Sequence, residues 1–336
     1  MFIHLPLSLS SLVGRDELIR RLVALLPRQR LLTLAGPGGM GKTCVAIRVA
    51  EQLAGHYAGV AFVDLAAEAG DCDLDSAIAQ ALGPLSNAPE LLLLDNCEHR
   101  ADACAEAVER WLRLRPSLTI LATSREPLRA EAEQVVRLPP LELPRRDELC
   151  LTQALACSAV QLFLLRAREV CDRFEMRPAQ LGIIVRVCRA LDGIPLAIEM
   201  AARQVPTLGL AGLPVLLERP LQLVMPGRRT APARHQSLRA TYDWSFDLLS
   251  GNELRCLNLL AGLGATFSLE GATLALRELR LCRGCVFDAL RQLVEKSLLQ
   301  VETDDLAVRY RLPYTAKACL LEREPLSRVG VAIPAA

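Results

Sequence analysis

The chain has 336 residues, 51% of them hydrophobic and 23% charged, and its 39 Lys and Arg residues nearly balance 38 Asp and Glu residues. This length exceeds one ordinary core and predicts two or three domains, because domains most often contain about 100–150 residues. The near-neutral charge excludes the whole-chain basic character that accompanies general nucleic-acid binding.

The N-terminal segment, residues 1–13, has no positive region ahead of its apolar stretch and no small-residue cleavage site, which argues against a signal peptide. No uninterrupted apolar run reaches membrane-spanning length. We therefore expect a cytoplasmic protein without membrane contact, whose 12 cysteines stay reduced and mostly serve as small core residues.

Two groups of cysteines lie close together in the sequence. Cys282 and Cys285 have the C-x-x-C spacing of zinc or redox sites, although no second pair or suitably placed histidine completes a ligand set in the sequence. Cys97, His99 and Cys104 are clustered without a metal-site spacing, and we expect them to be structural.

Short apolar runs alternate with helix-length segments between residues 31 and 138, which predicts a parallel sheet covered by helices. The run of leucines at 91–94 lacks polar alternation, as expected for a strand buried on both faces. The predicted strands cover 31–35, 60–64, 91–95, 118–123 and 135–138.

Helical spacing replaces the strand pattern after the prolines at 139–140 and predicts a small helical bundle. Asp192 and Gly193 are expected to end one of its helices, and Pro195 to begin the next. A turn-rich segment at 226–232 leads to further helical spacing.

An amphipathic helix ending near Leu298, followed by strand-like runs at 299–301 and 308–312, predicts a winged helix. The predicted fold is therefore an α/β P-loop NTPase domain followed by a helical bundle and a winged-helix domain. The predicted boundaries give an N-terminal extension at 1–11, a nucleotide-binding domain at 12–140, a helical domain at 141–226, a winged helix at 227–325 and a tail at 326–336.

A glycine-rich loop between the first predicted strand and a helical pattern carries the strongest chemical signal. Glycines let backbone N–H groups surround phosphate oxygens, and the following helix directs its positive end at the same charge. The lysine can reach the β- and γ-phosphates, while the threonine offers a hydroxyl to Mg²⁺. The alternative is a glycine-rich turn that contains Lys-Thr by coincidence. The predicted phosphate-contacting residues are Gly36, Pro37, Gly38, Gly39, Met40, Gly41, Lys42, Thr43 and Cys44.

Asp95 ends the apolar strand at 91–95, where a Walker B aspartate would hold Mg²⁺ together with Thr43. The alternative is an aspartate that serves a turn or helix cap. Asn96 follows Asp95, at the position where vigorous P-loop ATPases have a second acid. An amide cannot accept a proton as that acid would. Glu98 is the remaining carboxylate candidate for a catalytic base, so we expect slow hydrolysis.

Arg125 follows the predicted strand at 118–123, at the end of a parallel sheet where ligands bind. This position makes Arg125 a candidate γ-phosphate sensor. The alternative is a surface arginine paired with Glu126 or with a helix end.

These motifs together resemble the NB-ARC class of STAND signalling ATPases, and most closely its bacterial transcription-regulator branch. The resemblance extends from about Leu12 to Glu322. Besides the P-loop, the motifs that carry it are V-G-R at 13–15, L-D-N-C-E-H at 94–99, T-S-R-E-P-L at 123–128, G-I-P-L at 193–196, H-Q-S-L-R-A-T at 235–241, D-W-S at 243–245 and L-V-E-K-S-L at 293–298.

The resemblance implies three domains around one nucleotide, with ADP locking a closed state and ATP favouring an open, assembly-competent state. It implies that Val13 and Arg15 line the adenine side, that Pro195 packs on the base and that Arg125 reads the γ-phosphate. It also implies an effector or sensor protein as partner, or self-assembly in the ATP state.

The sequence departs from this family in three places. Relatives carry a His-Asp or a Glu where this chain reads Y-R-L-P-Y at 310–314, which removes the usual nucleotide-sensing contact. The segment at 70–90 is short, and relatives add an effector or repeat-sensor domain.

Other functions therefore remain open. One alternative is a transcriptional regulator that binds DNA directly through the winged helix, although the helix there carries Asp288 and Glu295 beside Arg291 and Lys296. Another is a degenerate nucleotide-binding paralogue without switching activity. A turnover-driven motor or kinase would need a catalytic base or acceptor pocket that the sequence does not identify.

Overall fold

The computed structural model describes residues 2–6, 11–66, 73–144, 150–171, 174–218, 236–304 and 307–323. The predicted boundary at 226–227, the turn-rich segment at 226–232 and the predicted tail lie outside these residues. Among the described helices, none is long and apolar enough to cross a lipid bilayer.

Six parallel strands form the central sheet, in the order β1-β3-β4-β5-β2-β6. This arrangement confirms the predicted α/β class and all five predicted strands. The short edge strand β1 was not predicted, because two residues are too few to show a pattern. The strands are β1 (Phe2–Ile3), β2 (Leu31–Ala35), β3 (Gly59–Asp64), β4 (Glu90–Asp95), β5 (Leu118–Ser124) and β6 (Glu133–Arg137).

Helices cover both faces of this sheet, and the leucine run of β4 shows why that strand is apolar throughout. Leu91 and Leu93 pack in the core beneath α1 and α2, whereas Leu92 and Leu94 pack in the opposite core beneath α3 and α4. A strand buried on both faces has no position for a solvated side chain. The four helices are α1 (Asp16–Leu25), α2 (Lys42–Leu53), α3 (Leu74–Leu82) and α4 (Ala101–Leu114).

The helical bundle follows the sheet as predicted. Asp192 and Gly193 form the turn between two of its helices, with φ of 53° and 66°, and Pro195 is the first residue of the next helix. The last helix of the bundle has a kink at Gly209, where φ is 61°. The helices are α5 (Leu151–Ala156), α6 (Ser158–Val170), α7 (Leu181–Ala190), α8 (Pro195–Ala202) and α9 (Val205–Glu218).

The C-terminal part has the predicted helix and hairpin, with a short third strand, and its antiparallel order is β7-β9-β8. One continuous apolar core joins this winged helix to the helical bundle. The elements are α10 (Leu238–Asp247), α11 (Gly251–Ala261), β7 (Thr266–Phe267), α12 (Leu269–Ala275), α13 (Arg283–Glu295), β8 (Gln300–Asp304), β9 (Ala307–Arg311) and α14 (Tyr314–Arg323).

Candidate functional site

The glycine-rich loop lies between β2 and α2, as its sequence context predicts. Gly39 and Gly41 have φ of 77° and 82°, a region that residues with a Cβ rarely enter. Lys42 begins α2, and its Nζ donates hydrogen bonds to the carbonyl oxygens of Gly36 at 2.8 Å and Pro37 at 3.1 Å. The ammonium group is therefore placed within the concave side of the loop, beside the N-terminus of a helix.

Asp95, at the end of β4, is the centre of a buried hydrogen-bond cluster. The Thr43 hydroxyl donates to its two carboxylate oxygens at 2.8 and 3.0 Å, and the Thr123 hydroxyl donates to Oδ1. Burial raises the pKa of Asp95, and the two hydroxyl hydrogen bonds only partly oppose that shift. The structure thus brings together Thr43 and Asp95, the two predicted magnesium ligands. It also places the Thr123 hydroxyl on the same carboxylate.

Asn96 is held between two carboxylates. Its Nδ2 donates to Asp64 Oδ1 at 2.7 Å and to Asp95 Oδ2 at 2.9 Å, while its backbone N–H donates to Thr123 Oγ1 at 3.1 Å. Asp64 ends β3 directly opposite Asp95 in the parallel register. Sequence reasoning missed Asp64, although it shows the same signal as Asp95, an acid at the end of an apolar strand.

Arg125 is buried, which contradicts the alternative of a surface arginine paired with Glu126. Its Nε donates to Glu98 Oε1 at 3.1 Å, and both side chains are at most 5% exposed. The reason is that β5 ends inside the molecule, where α10 covers the carboxyl end of the sheet. The surface interpretation assumed solvent there.

The same arginine contacts the winged-helix region. Its Nη1 donates to the carbonyl oxygen of Thr241 at 3.2 Å and to Ser245 Oγ, one turn further along α10. Ser297 Oγ, just after α13, donates to the Arg125 carbonyl oxygen at 2.7 Å. Thr241, Ser245 and Ser297 lie within motifs that carry the resemblance, but the sequence assigned them no role.

Glu98 lies between two cations in this cluster. Burial acts to raise the pKa of Glu98, but the charges of Lys42 and Arg125 outweigh burial and leave the pKa below its usual value. Its Oε2 is buried and accepts no hydrogen bond from the described residues. An ionised carboxylate with one open acceptor can orient a water molecule, but its lowered pKa makes it a weak base.

Two segments from outside the α/β domain cover the glycine-rich loop. The Leu196 N–H, at the start of α8, donates to the Gly39 carbonyl oxygen at 3.1 Å. A Cβ added at Gly38 would lie 2.7 Å from Thr241 Cγ2, so α10 touches the loop as well. Pro195 lies beside this contact, and its predicted role stays a prediction.

Val13 and Arg15 reach the same end of the molecule from the other side. Arg15 is buried, and its Nη2 donates to the Met40 carbonyl oxygen at 3.4 Å. Burial lowers the pKa of Arg15. Val13 packs against the core of the helical bundle. The structure therefore places Arg15 against the loop and Val13 against the bundle, and their predicted place beside the adenine stays a prediction.

Arg311 lies in the segment 310–314, where the chain departs from the family pattern, and it forms an ion pair that the sequence did not predict. Arg311 Nη2 donates to Asp192 Oδ1 at 2.7 Å, and the Thr315 N–H and Oγ1 donate to Asp192 Oδ2 at 3.0 and 2.9 Å. Asp192 is buried in the turn that precedes α8. The winged helix thus contacts the turn at Asp192. That turn leads into α8, the helix that covers the glycine-rich loop.

A polar cavity of about 670 Å³ lies next to this cluster, between α4 and the winged helix. Its lining includes Glu98, Glu126, Glu253 and Lys296, and it reaches none of the loop residues 36–43. Lys296 Nζ donates to Glu253 Oε2 at 2.8 Å across its wall. Besides Arg125, His99 joins the two parts of the molecule, with its ring centroid 4.4 Å from that of Trp244, and Arg137 Nη1 donates to the Val294 carbonyl oxygen at 3.2 Å.

The remaining cysteines near the site are structural in their contacts. Cys97 Sγ donates to the Leu94 carbonyl oxygen at 3.6 Å, and Cys104 Sγ donates to the Cys97 carbonyl oxygen at 3.8 Å. Cys44 is partly exposed on the first turn of α2. The described part of the chain holds no group of three or more metal-binding side chains of the His, Cys, Asp and Glu types.

The oxygen ligands at this site suit a hard cation that lies beside an anion. The Thr43 hydroxyl and the Asp95 carboxylate lie 2.8 Å apart at the N-terminus of α2, and Lys42 is the first residue of that helix. Mg²⁺ prefers one or two such oxygen ligands and completes its shell with phosphate oxygens and water. Thr43 and Asp95 would hold that ion, and the loop N–H groups and Lys42 would face the anion.

Two glycines of the loop allow a matched test of how closely α8 covers it. Alanine at Gly39 or Gly41 suffers the same left-handed strain, about 1–2 kcal/mol. Only at Gly39 would the new Cβ also lie 2.8 Å from Leu196 Cβ, whereas nothing lies within 4 Å at Gly41. We expect Gly39→Ala to lower the free energy of unfolding by about 1–3 kcal/mol more than Gly41→Ala, measured by urea denaturation. Equal losses would show that α8 does not press on the loop.

A glycine loop, a lysine and threonine on the next helix, and an aspartate ending a neighbouring parallel strand define a P-loop NTPase fold. No protein-family model matches the chain. Uncharacterized protein Rv0894 of Mycobacterium tuberculosis is 35% identical over 349 residues, covering 96% of this chain and 83% of that protein. The chain belongs to the same family as this mycobacterial protein.

A second relative is longer. Rv0890c of M. tuberculosis, named as a candidate HTH-type transcriptional regulator, is 36% identical over 315 residues, which cover 89% of this chain but 34% of that protein. The chain therefore spans about a third of this relative.

Solved structures show weaker similarity. A chain of Drosophila ORC bound to DNA has 16% identity and a TM-score of 0.44, covering 89% of this chain and 91% of that one. Cdc6p from Pyrobaculum aerophilum has 14% identity and a TM-score of 0.38, covering 92% and 93%. Sequence identities and TM-scores this low support no conclusion about this chain.

Proposed function

We propose that the chain is a nucleotide switch of the NB-ARC type within the STAND class, which binds ATP or ADP with Mg²⁺ and hydrolyses ATP slowly. The observation that carries the proposal is the position of Arg125. It pairs with Glu98 beside the loop lysine and at the same time contacts Thr241 and Ser245 of α10. One guanidinium thus joins the nucleotide side of the molecule to the winged helix.

The proposed closed state follows from these contacts. The Arg125 guanidinium donates to Glu98 and to two residues of α10, and the Asp192 contacts hold the turn before α8 over the loop. A γ-phosphate at Lys42 would offer Arg125 a charge-assisted alternative to the Thr241 carbonyl and the Ser245 hydroxyl. ADP lacks that group, so ATP and ADP would favour different arrangements of α10, as a switch requires.

The same geometry limits what each residue could do in ATP hydrolysis. The bound ion would supply charge neutralisation at the phosphates. Lys42 would hold the β- and γ-phosphate oxygens, and the open oxygen of Glu98 would orient water. Asn96 is bound to Asp64 and Asp95 and cannot accept a proton. Slow hydrolysis follows, because Glu98, the candidate base among the described residues near the loop, is a weak one.

Direct DNA binding through the winged helix has less support. On α13, Arg291 lies 2.9 Å from Glu295 and 3.9 Å from Asp288, and Arg283 lies 3.6 Å from Glu270. Acidic partners neutralise the helix that would have to face phosphates. A regulator with this module would act through protein contacts, with an effector, a sensor or a second copy as partner in the ATP state.

The magnesium assignment is tested by Asp95→Asn. The amide keeps the shape but loses the charge that a hard cation needs, so we expect affinity for ATP with Mg²⁺ to fall at least about tenfold, while affinity in EDTA changes far less. Calorimetry with and without EDTA measures both. Asp102→Asn, at an exposed carboxylate on the first turn of α4, is the control. An equal effect of EDTA on wild type and Asp95→Asn would remove Asp95 from the metal site.

The identity of the nucleotide is tested directly on the purified chain. Acid extraction followed by ion-exchange chromatography should release ADP in amounts close to those of the protein. Nucleotide-free protein that also fails to bind ADP or ATP in calorimetry would overturn the proposal and leave the degenerate paralogue.

A further inference from the structure

Cys282 and Cys285 form an exposed pair of thiols that the nucleotide site does not use. Cys282 is the N-cap of α13 and Cys285 lies in the first turn, with their Sγ atoms 2.6 Å apart. The Cys285 N–H also donates to Cys282 Sγ at 3.1 Å. Both residues are exposed, so neither sulfur contributes to a packed core.

The two thiols are not equivalent. The hydrogen bond between the side chains lowers the pKa of Cys282 and raises that of Cys285. The backbone N–H groups at the start of α13 favour negative charge on the capping sulfur, as in C-x-x-C motifs at helix N-termini. Its place as the N-cap of α13 and the hydrogen bond from the Cys285 N–H therefore make Cys282 the sulfur on which a thiolate is favoured over Cys285.

Among the cysteines that the structure describes, the others lack this combination. Cys97 and Cys104 are close to each other but buried, and burial raises the pKa of Cys188. Cys150 is exposed, and its Sγ lies 3.0 Å from the Thr152 hydroxyl. Among the described residues no third metal-binding side chain joins Cys282 and Cys285, whereas a structural zinc site needs four.

We propose that Cys282 and Cys285 form a thiol–disulfide exchange site whose substrate is a low-molecular-weight disulfide such as oxidised glutathione. The Cys282 thiolate attacks one sulfur of the substrate, forms a mixed disulfide and releases one glutathione thiolate, which takes up a proton. Cys285 then loses its proton and attacks Cys282 Sγ, releasing the second glutathione. The net reaction oxidises the two protein thiols to one disulfide and reduces one glutathione disulfide to two thiols.

This site is independent of the proposed nucleotide switch. It lies at the N-terminal end of α13, whereas Lys296 and Ser297, which contact Glu253 and the Arg125 carbonyl, follow its C-terminal end. The chemistry needs no nucleotide. Failure of nucleotide binding would therefore leave the exchange reaction intact, and the two proposals fail separately.

The test uses the full chain, reduced, freed of reductant and equilibrated in buffers of increasing oxidised-to-reduced glutathione ratio. Samples are quenched in acid, alkylated with N-ethylmaleimide and digested for mass spectrometry. We expect the peptide with both cysteines to lose the mass of two hydrogen atoms and to carry neither alkyl group nor glutathione. In Cys285→Ser the second step is blocked, so residue 282 should retain one glutathione.

Two further variants complete the design. Cys282→Ser should slow reaction of the remaining thiol with oxidised glutathione at least about tenfold, because the thiolate-bearing sulfur is gone. Cys150→Ser, at an exposed thiol outside the pair, should leave the internal disulfide unchanged. Mixed disulfides on both cysteines without an internal bond would overturn the proposal. Zinc retained by the reduced chain and lost in either serine variant would instead identify a metal-ligand pair.

Discussion

Replacing Lys42 with alanine is expected to weaken binding of both ATP and ADP by at least about tenfold, or about 1.4 kcal/mol. The Nζ group lies in the loop, on the carbonyls of Gly36 and Pro37, next to the first N–H groups of α2. Phosphate oxygens would replace those neutral acceptors with charged ones. An ammonium–phosphate contact joins two opposite charges and is therefore stronger than the ammonium–carbonyl contacts that it would replace.

Calorimetry on nucleotide-stripped protein measures this loss, and the choice of control matters because Lys42 is itself buried. Arg48→Ala removes a cation from the same helix at an exposed position, where Arg48 pairs with Glu51 at 3.1 Å. We expect that variant to bind nucleotide as the wild type does. Urea denaturation of Lys42→Ala without nucleotide separates lost affinity from lost folding. Equal affinities for wild type and a folded Lys42→Ala would exclude the loop as the phosphate site.

The elements of the α/β domain could be predicted from sequence because local signals agree with the fold there. The leucines at 91–94 pack alternately into two cores, one on each face of the sheet. Gly39 and Gly41 of the loop have the left-handed φ that glycine permits. Asp95 and Thr43 meet because parallel strands end at one edge of the sheet, where α2 also begins.

The environment of Arg125 could not be predicted in the same way. Its partners Thr241, Ser245 and Ser297 lie more than a hundred residues away in the chain, and no periodicity or spacing links positions so distant. Burial of Arg125 depends on α10 covering the sheet, which is a tertiary event. The contacts of Asp192 with Arg311 and Thr315 escaped prediction for the same reason, since a turn aspartate already has a local explanation.

Arg125→Ala is expected to have the largest effect on stability of the variants considered. It leaves Glu98 as a buried carboxylate without its guanidinium partner, and breaking a buried ion pair in this way costs about 3–5 kcal/mol. Both side chains are at most 5% exposed, so water cannot readily replace the lost partner. Urea denaturation measures the loss, and the double variant Arg125→Ala, Glu98→Gln should recover part of it because no unpaired charge remains.

Two milder variants separate the role of Arg125 in folding from its role in the switch. Arg125→Lys keeps a positive charge near Glu98 but loses the fork that reaches α10. Ser245→Ala removes one contact on the α10 side and leaves the Arg125–Glu98 pair intact. We expect Ser245→Ala to weaken the closed state while ADP affinity stays within about twofold of the wild type. A large loss of ADP affinity in Ser245→Ala would place α10 at the nucleotide itself.

The decisive measurement combines single-turnover hydrolysis with limited proteolysis near residues 139–144, which join the α/β domain to the bundle. We expect hydrolysis far slower than the roughly 1–10³ s⁻¹ typical of enzymes, because Asn96 accepts no proton and Glu98 is a weak base. A non-hydrolysable ATP analogue should change the cleavage pattern relative to ADP, since only the γ-phosphate competes with α10 for Arg125. In Arg125→Lys that difference should disappear, because a ligand shifts an equilibrium only by its differential affinity for the two states. Fast turnover with identical cleavage patterns would rule out the switch and leave a conventional ATPase.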